Sequence, residues 1–169
     1  MTSELRVSTI AAVGGTSAMT INSDGATALT VPYFFADETS NITVSSTATV
    51  HTGFTIISES HGGFSGHTYT IPSNLGGIWC FNTAISFTSI GSGTYALLTL
   101  EVNGSLDSAH DNYIASSVSN NPFRATHMGS FNAGDTIRFM VAQGNGSKTS
   151  QHNGRTGYFS GWRMGNIIT

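Results

Sequence analysis

Charge is what this sequence has least of. Only 9% of its 169 residues are Asp, Glu, Lys or Arg, against about 25% in ordinary soluble domains. The 6 basic and 9 acidic residues leave a formal net charge of -3. Lys148 is the single lysine, so no basic stripe exists that could track a phosphate backbone or an anionic lipid surface, and nucleic acid is set aside as a partner. Long apolar runs are missing too. None approaches the roughly 20 residues that a membrane span needs, and the opening MTSELRVSTI has no basic region followed by a hydrophobic core. The expectation is a chain without membrane insertion and without a signal peptide. Cysteine occurs once, at Cys80 within IWCF; an internal disulfide is excluded and a small buried thiol is expected. Helical periodicity is nearly absent, because Gly or paired β-branched residues interrupt every window that might sustain it.

What is present is a neutral polar chain, rich in Ser, Thr, Asn and Gly, whose large side chains alternate with a period of two. Residues 78–88 place Trp79, Phe81, Ile85 and Phe87 on one face, with Asn82, Ala84, Ser86 and Thr88 on the other. After Gly91 and Gly93, the series Ala96, Leu98, Leu100, Val102 runs into Asn103-Gly104, a type I′ hairpin signal. Ile137, Phe139 and Val141 alternate in residues 135–142 before Gly144-Asn145-Gly146, and Asn153-Gly154 precedes a last strand at 156–164. Weaker strands are expected at 54–58, 67–71, 112–118 and 125–131. That makes about eight after residue 50, as in a two-sheet sandwich or jelly roll.

The first fifty residues differ, being small apart from Tyr33, Phe34 and Phe35. A hairpin of residues 5–12 and 18–22 brackets Gly14-Gly15, and Asp24-Gly25 marks a second turn. An isolated two-stranded unit is marginal in water, so residues 1–50 read as an extended attachment arm and 51–169 as the head. The alternative that the first fifty residues add strands to the sandwich stays open.

Six histidines invite a metal or catalytic reading, with His61 and His67 in HGGFSGH and the others at 51, 110, 127 and 152. No HExxH, Cys/His pairing or two-His-one-carboxylate cluster occurs, so these histidines are expected to fill loops or to stack around an oligomer axis. Ser65 in GFSGH lacks the spacing of a nucleophile elbow. Asp107 and Asp111 flank His110 beside the turn at 103–106 and could bind calcium, but without EF-hand spacing a solvated loop is the better reading. Three Asn-x-Ser/Thr sites, at Asn41, Asn103 and Asn145, are what this composition produces by chance. No catalytic, metal or cofactor-binding residue is expected, hence no enzyme and no cofactor.

Three segments together carry a resemblance: IPSNLGGIWCFNTAISF (71–87), FNAGDTIRFMV (131–141) and TGYFSGWRM (156–164). Their order resembles the globular head of the complement-q/tumour-necrosis-factor superfamily, in the versions found in bacteriophage structural proteins. The likeness covers residues 51 to 165, and TGYFSGW is its most specific piece. It implies an all-β, two-sheet antiparallel jelly roll of ten strands that assembles as a homotrimer. Tyr95, Leu97, Met140, Tyr158 and Trp162 fall opposite or beside the core sets, and apolar residues on a second face call for a partner; these five are the candidate trimer interface. No Gly-X-Y period supplies a collagen stalk. Instead residues 3–25 resemble the N-terminal attachment segment of phage tail-fibre and virion accessory proteins, with Leu5, Val7, Ile10, Met19 and Ile21 as candidate anchors. The resemblance implies a trimeric capsid decoration (cement) protein in a virion assembled in the host cytoplasm, with the major capsid protein as partner. The alternative is the head of a short tail-fibre or baseplate protein that binds a host surface glycan. An arm with neither heptads nor β-helix repeats cannot make a long shaft, which favours decoration.

Overall fold

The computed structural model describes residues 9–11, 17–21, 27–29, 31–114, 122–152 and 157–166, and side chains for those outside 9–30 and 108–121. Every element among the described residues is a β-strand. The chain divides into two compact units, Met1–Val31 and Pro32–Thr169. In the first, β1 (Thr9–Ala11), β2 (Ser17–Ile21) and β3 (Thr27–Leu29) form an antiparallel three-stranded sheet in chain order. The expected hairpin is there, with Ile10 opposite Met19, and Asp24-Gly25 lies between its second strand and a third. Ile21 is paired with Thr27, whereas Leu5 and Val7 lie outside the described residues.

The second unit begins with β4 (Tyr33–Glu38), β5 (Thr43–Val44), β6 (Thr49–Val50) and β7 (Phe54–Glu59). A small hairpin comes next, β8 (Phe64–Ser65) and β9 (Thr68–Thr70), then the long strands β10 (Gly77–Ser86), β11 (Thr94–Val102), β12 (Ser105–Ile114) and β13 (Pro122–Phe131). The chain ends with β14 (Thr136–Gln143), β15 (Lys148–Thr149) and β16 (Tyr158–Gly165). One sheet has the order β13-β10-β16-β4-β7; the other runs β12-β11-β14-β9-β8, with β6 also pairing β14. All pairings are antiparallel, which gives the expected two-sheet jelly roll.

The two compact units divide at 31/32, whereas composition places the change at 50/51, and residues 33–50 add strands to the second unit. β4 is an inner strand of its sheet, hydrogen-bonded to β16 on one side and β7 on the other. It alternates Phe34, Ala36 and Glu38 into the interior. A composition average cannot see this, because one alternating triplet of large residues suffices to seat a strand whose partners come from far along the chain.

The core is aromatic. Phe34, Trp79, Phe81, Phe131 and Phe159 from one sheet meet Tyr69, Leu98, Leu100, Ile137, Phe139 and Val141 from the other. Phe34 stacks on Tyr69 at 4.1 Å between centroids and meets Phe159 edge-on at 4.9 Å. This packing explains the glycine of TGYFSGW. A Cβ on Gly161 would lie 2.6 Å from the Phe81 ring and 2.7 Å from that of Phe34.

The hairpin expected at Asn103-Gly104 is present, and both residues have positive φ, 51° and 83°. The segment after it is corrected. Residues expected to form a solvated loop before a strand at 112 belong to β12 from Ser105 on, since a two-residue turn returns the chain directly to pairing register. Asp107 is therefore an exposed strand residue, and the oxygen-rich loop considered for calcium is absent.

Candidate functional site

The outer face of the five-stranded sheet is a chemically distinctive surface of the head. Register fixes its rows. Cys80 is opposite Met128 on one side and Trp162 on the other, and Trp162 is opposite Tyr33, so Met128, Cys80, Trp162 and Tyr33 cross four strands in one line. With strands about 4.8 Å apart, such a row spans roughly 14 Å. Met128 is 64% exposed, Tyr33 42% and Trp162 39%; Met164, two residues along the same face of β16, is 57% exposed. Diagonally across β4 and β16, Phe35 stacks on Tyr158 at 6.0 Å. Between the aromatics, β10 offers the small side chains Cys80 and Ala84, both buried. The result is a trough with aromatic and methionine walls.

Burial pushes the Cys80 thiol above its usual pKa. The expected small buried thiol is found, at the floor of this outer face, where its neutral form is an apolar contact.

Of the five expected interface residues, the structure brings Tyr158 and Trp162 together here and sends three elsewhere. Tyr95 and Leu97 alternate with the buried Ala96 and Leu98 on β11, and so lie on the outer face of the other sheet. Met140 is 8% exposed, on β14 of that other sheet, where it is paired with Val50 of β6. Sequence reasoning misses Tyr33, Phe35 and Met128 as members of this face. Tyr33 and Phe35 carry a signal, being among the few large residues before position 50; Met128 shows only once β13 is aligned with β10.

A second constellation lies inside the head. Glu38, His51 and Ser150 are fully buried and converge from β4 and from the corners after β6 and β15. His51 Nε2 sits 3.2 Å from Glu38 Oε1, and the Ser150 hydroxyl donates to the same oxygen. His51 Nδ1 accepts the Gly53 N–H at 3.2 Å, so the neutral imidazole carries its proton on Nε2, facing the carboxylate. Serine, histidine and carboxylate are all present, but in the wrong order for nucleophilic catalysis. The carboxylate lies between the other two, and the hydroxyl donates to it instead of to the imidazole. A Cβ on Gly157 would lie 1.9 Å from Glu38 Oε2, so the strand start after the Asn153-Gly154 region needs glycine there.

His51 lies in the connection between β6 and β7, buried and stacked on Phe54 with Phe139 beside both; the expectation that the histidines occupy loops or an oligomer axis is corrected for His127, which is buried on β13. His61, His67 and His152 do lie in connections; the His110 side chain is outside the described residues. Ser65 belongs to the β8-β9 hairpin, whose turn residues Gly66 and His67 have φ of 54° and 64°. Among the described residues no group of three or more His, Cys, Asp or Glu gathers to hold a metal. Two shallow clefts, about 520 Å³ and 430 Å³, flank the turn at Ala133-Gly134, the first reaching Ile71 and Asn74 and the second Phe131 and Asn166.

No family model matches the chain, and no curated relative matches it by sequence. Solved structures do match in fold. Murine APRIL at pH 5.0 superposes with a TM-score of 0.59 at 10% identity, over 79% of this chain and 99% of its own. The globular domain of zebrafish complement 1qA gives 0.55 at 12% identity, covering 80% and 98%. The vertex protein P5 of PRD1 also gives 0.55, at 11% identity over 80% and 96%. The chain therefore has the tumour-necrosis-factor/complement-q jelly-roll fold.

Proposed function

We propose that this protein is a non-enzymatic structural component of a virion, a homotrimeric capsid decoration protein. In this reading the jelly-roll head self-associates through the outer face of its five-stranded sheet, and residues 1–31 attach it to the shell through the major capsid protein. The carrying observation is the Met128-Cys80-Trp162-Tyr33 row, an apolar line across four strands in which Met128, Trp162 and Tyr33 are exposed. A face of that kind gains by losing its water to a copy of itself. Virion placement is supported by the resemblance carried by TGYFSGW and by the occurrence of the same fold in a phage vertex protein. The attachment role rests on the separateness of the first unit, a small sheet whose edge strands can extend a neighbouring sheet.

Sedimentation of the full chain tests the first half. A trimer is expected at micromolar concentration, and Trp162→Glu should yield a folded monomer, because a carboxylate would be buried without a partner. A monomeric parent protein, or a trimer indifferent to Trp162→Glu and Tyr33→Glu together, refutes this face as the seam. The second half is tested with particles stripped of the protein. A chain beginning at Pro32 should keep the head intact and fail to bind them, and undiminished binding would move attachment into the head.

A further inference from the structure

We infer that Asn145 is a self-modification site, at which the backbone nitrogen of Gly146 closes on the Asn145 carboxamide and converts it, through a cyclic imide, to aspartate and isoaspartate. The tripeptide Asn-Gly-Ser occurs twice, at 103–105 and 145–147, so local sequence offers identical chemistry at both. Asparagine is chemically labile, most of all before glycine, whose nitrogen no Cβ shields. The fold then separates the two copies.

Asn103 is fastened by its side chain. Its Nδ2 donates to the Asp135 carboxylate at 2.8 Å, and its Oδ1 accepts the Thr136 N–H at 2.9 Å. Ring closure there must break both contacts. Asn145 is fastened by its backbone instead. Its N–H donates to Gln143 Oε1 at 2.7 Å, and Gln143 Nε2 donates to the Gly146 carbonyl. The Asn145 carboxamide lies against Gly91 and has no hydrogen-bond partner among the described residues. The Gly146 N–H has none among them either, and Gly146 is exposed, with a φ of 63°. Nucleophile and electrophile are therefore both free to react, and water reaches them.

The step balances with water as its co-reactant. Hydroxide takes the Gly146 N–H proton, the nitrogen bonds to Asn145 Cγ, and the side-chain amide nitrogen leaves with a proton as ammonia. Water then opens the five-membered imide. Breaking the new bond at Cγ gives aspartate, and breaking the original peptide bond gives isoaspartate, whose main chain runs through the side chain with one extra methylene. No electron is gained or lost. Gln143, fully buried, holds this stretch at the Asn145 N–H and the Gly146 carbonyl and also donates to the Val44 carbonyl at 3.0 Å. Lengthening the chain between its two contacts loosens the turn that leads into β15, which pairs with β5 through Lys148 and Val44.

Incubating the full-length protein in mildly alkaline buffer, folded and in denaturant, with peptide mapping by mass spectrometry, tests this. Cleavage after Arg138, Lys148 and Arg155 puts Asn145 and Asn153 in different peptides, and cleavage after Glu101 and Asp107 isolates Asn103. In the folded protein Asn145 should convert at least about tenfold faster than Asn103, the factor expected from two hydrogen bonds, one of them to a carboxylate. In denaturant the two rates should converge. Equal rates in the folded protein, a gap that persists in denaturant, or a folded Asn145 that stays intact while the denatured chain converts would each overturn the assignment. Converted protein, separated by its added negative charge, should exchange the Lys148 amide faster than the parent; unchanged exchange in the isoaspartyl form refutes the coupling through Gln143.

Discussion

Replacing Gly161 by alanine isolates the steric logic of the most specific motif in the chain. Gly161 sits in the middle of β16, buried, between Phe81 on β10 and Phe34 on β4. An added Cβ would meet ring carbons of Phe81 at 2.6 and 2.8 Å and of Phe34 at 2.7 Å, well inside ordinary contact. The rings cannot swing away, since both are at most 1% exposed and Phe34 is held face-to-face on Tyr69. Overpacking a rigid core costs about 1–3 kcal/mol. Three simultaneous violations against two rings argue for the upper end, about 3 kcal/mol, a fall of roughly 6–12 °C in melting temperature at this chain length. Chemical denaturation at fixed protein concentration is the assay, because association shifts apparent stability. Gly165→Ala is the internal control, with open space around its would-be Cβ; it should be neutral or slightly stabilising. Combining Gly161→Ala with Phe81→Leu should recover part of the loss through non-additive coupling. A Gly161→Ala cost below about 0.5 kcal/mol, or no coupling with Phe81, would refute the packing argument.

Burial, reinforced by the negative charge of Glu59, raises the Tyr69 phenol well above its ordinary value of 10.0. A raised folded value means stability intact below that ordinary value and lost as pH climbs through it, at about 1.4 kcal/mol per pH unit. Alkaline unfolding curves should show this loss, and Tyr69→Phe should remove it with little change at neutral pH, since the hydroxyl has no hydrogen-bond partner among the described residues. Gly157→Ala should destabilise the head by at least 1 kcal/mol, roughly, by forcing a methyl onto Glu38 Oε2; unchanged melting would count against the buried carboxylate's position. Asn103→Ala removes a positive-φ residue and the side-chain contacts to Asp135 and the Thr136 N–H at 2.8 and 2.9 Å. About 1–2 kcal/mol should be lost in thermal melts. Chelators should leave melting unchanged, and a large fall would revive a cation near Asp107.

Local patterning reaches far in this chain. The alternation through Trp79 and Phe81, through Leu98 and Leu100, and through Ile137, Phe139 and Val141 is visible because a strand's inward residues recur every second position whatever its neighbours are. Asn103-Gly104 is legible for a similar reason, since only a few residue types accept two successive positive φ values. Pairing partners are another matter. Nothing near Tyr33 announces that β4 slots between β16 and β7, because the hydrogen bonds that hold it come from residues far along the chain, and a boundary drawn from composition therefore falls at 50 instead of 31. The same limit applies to both sites. Whether Trp162, Met128 and Tyr33 share a row, and whether the loop residue His51 faces solvent or joins a buried cluster with Glu38 and Ser150, depends on register between distant strands, and register is set by the packing of the whole core.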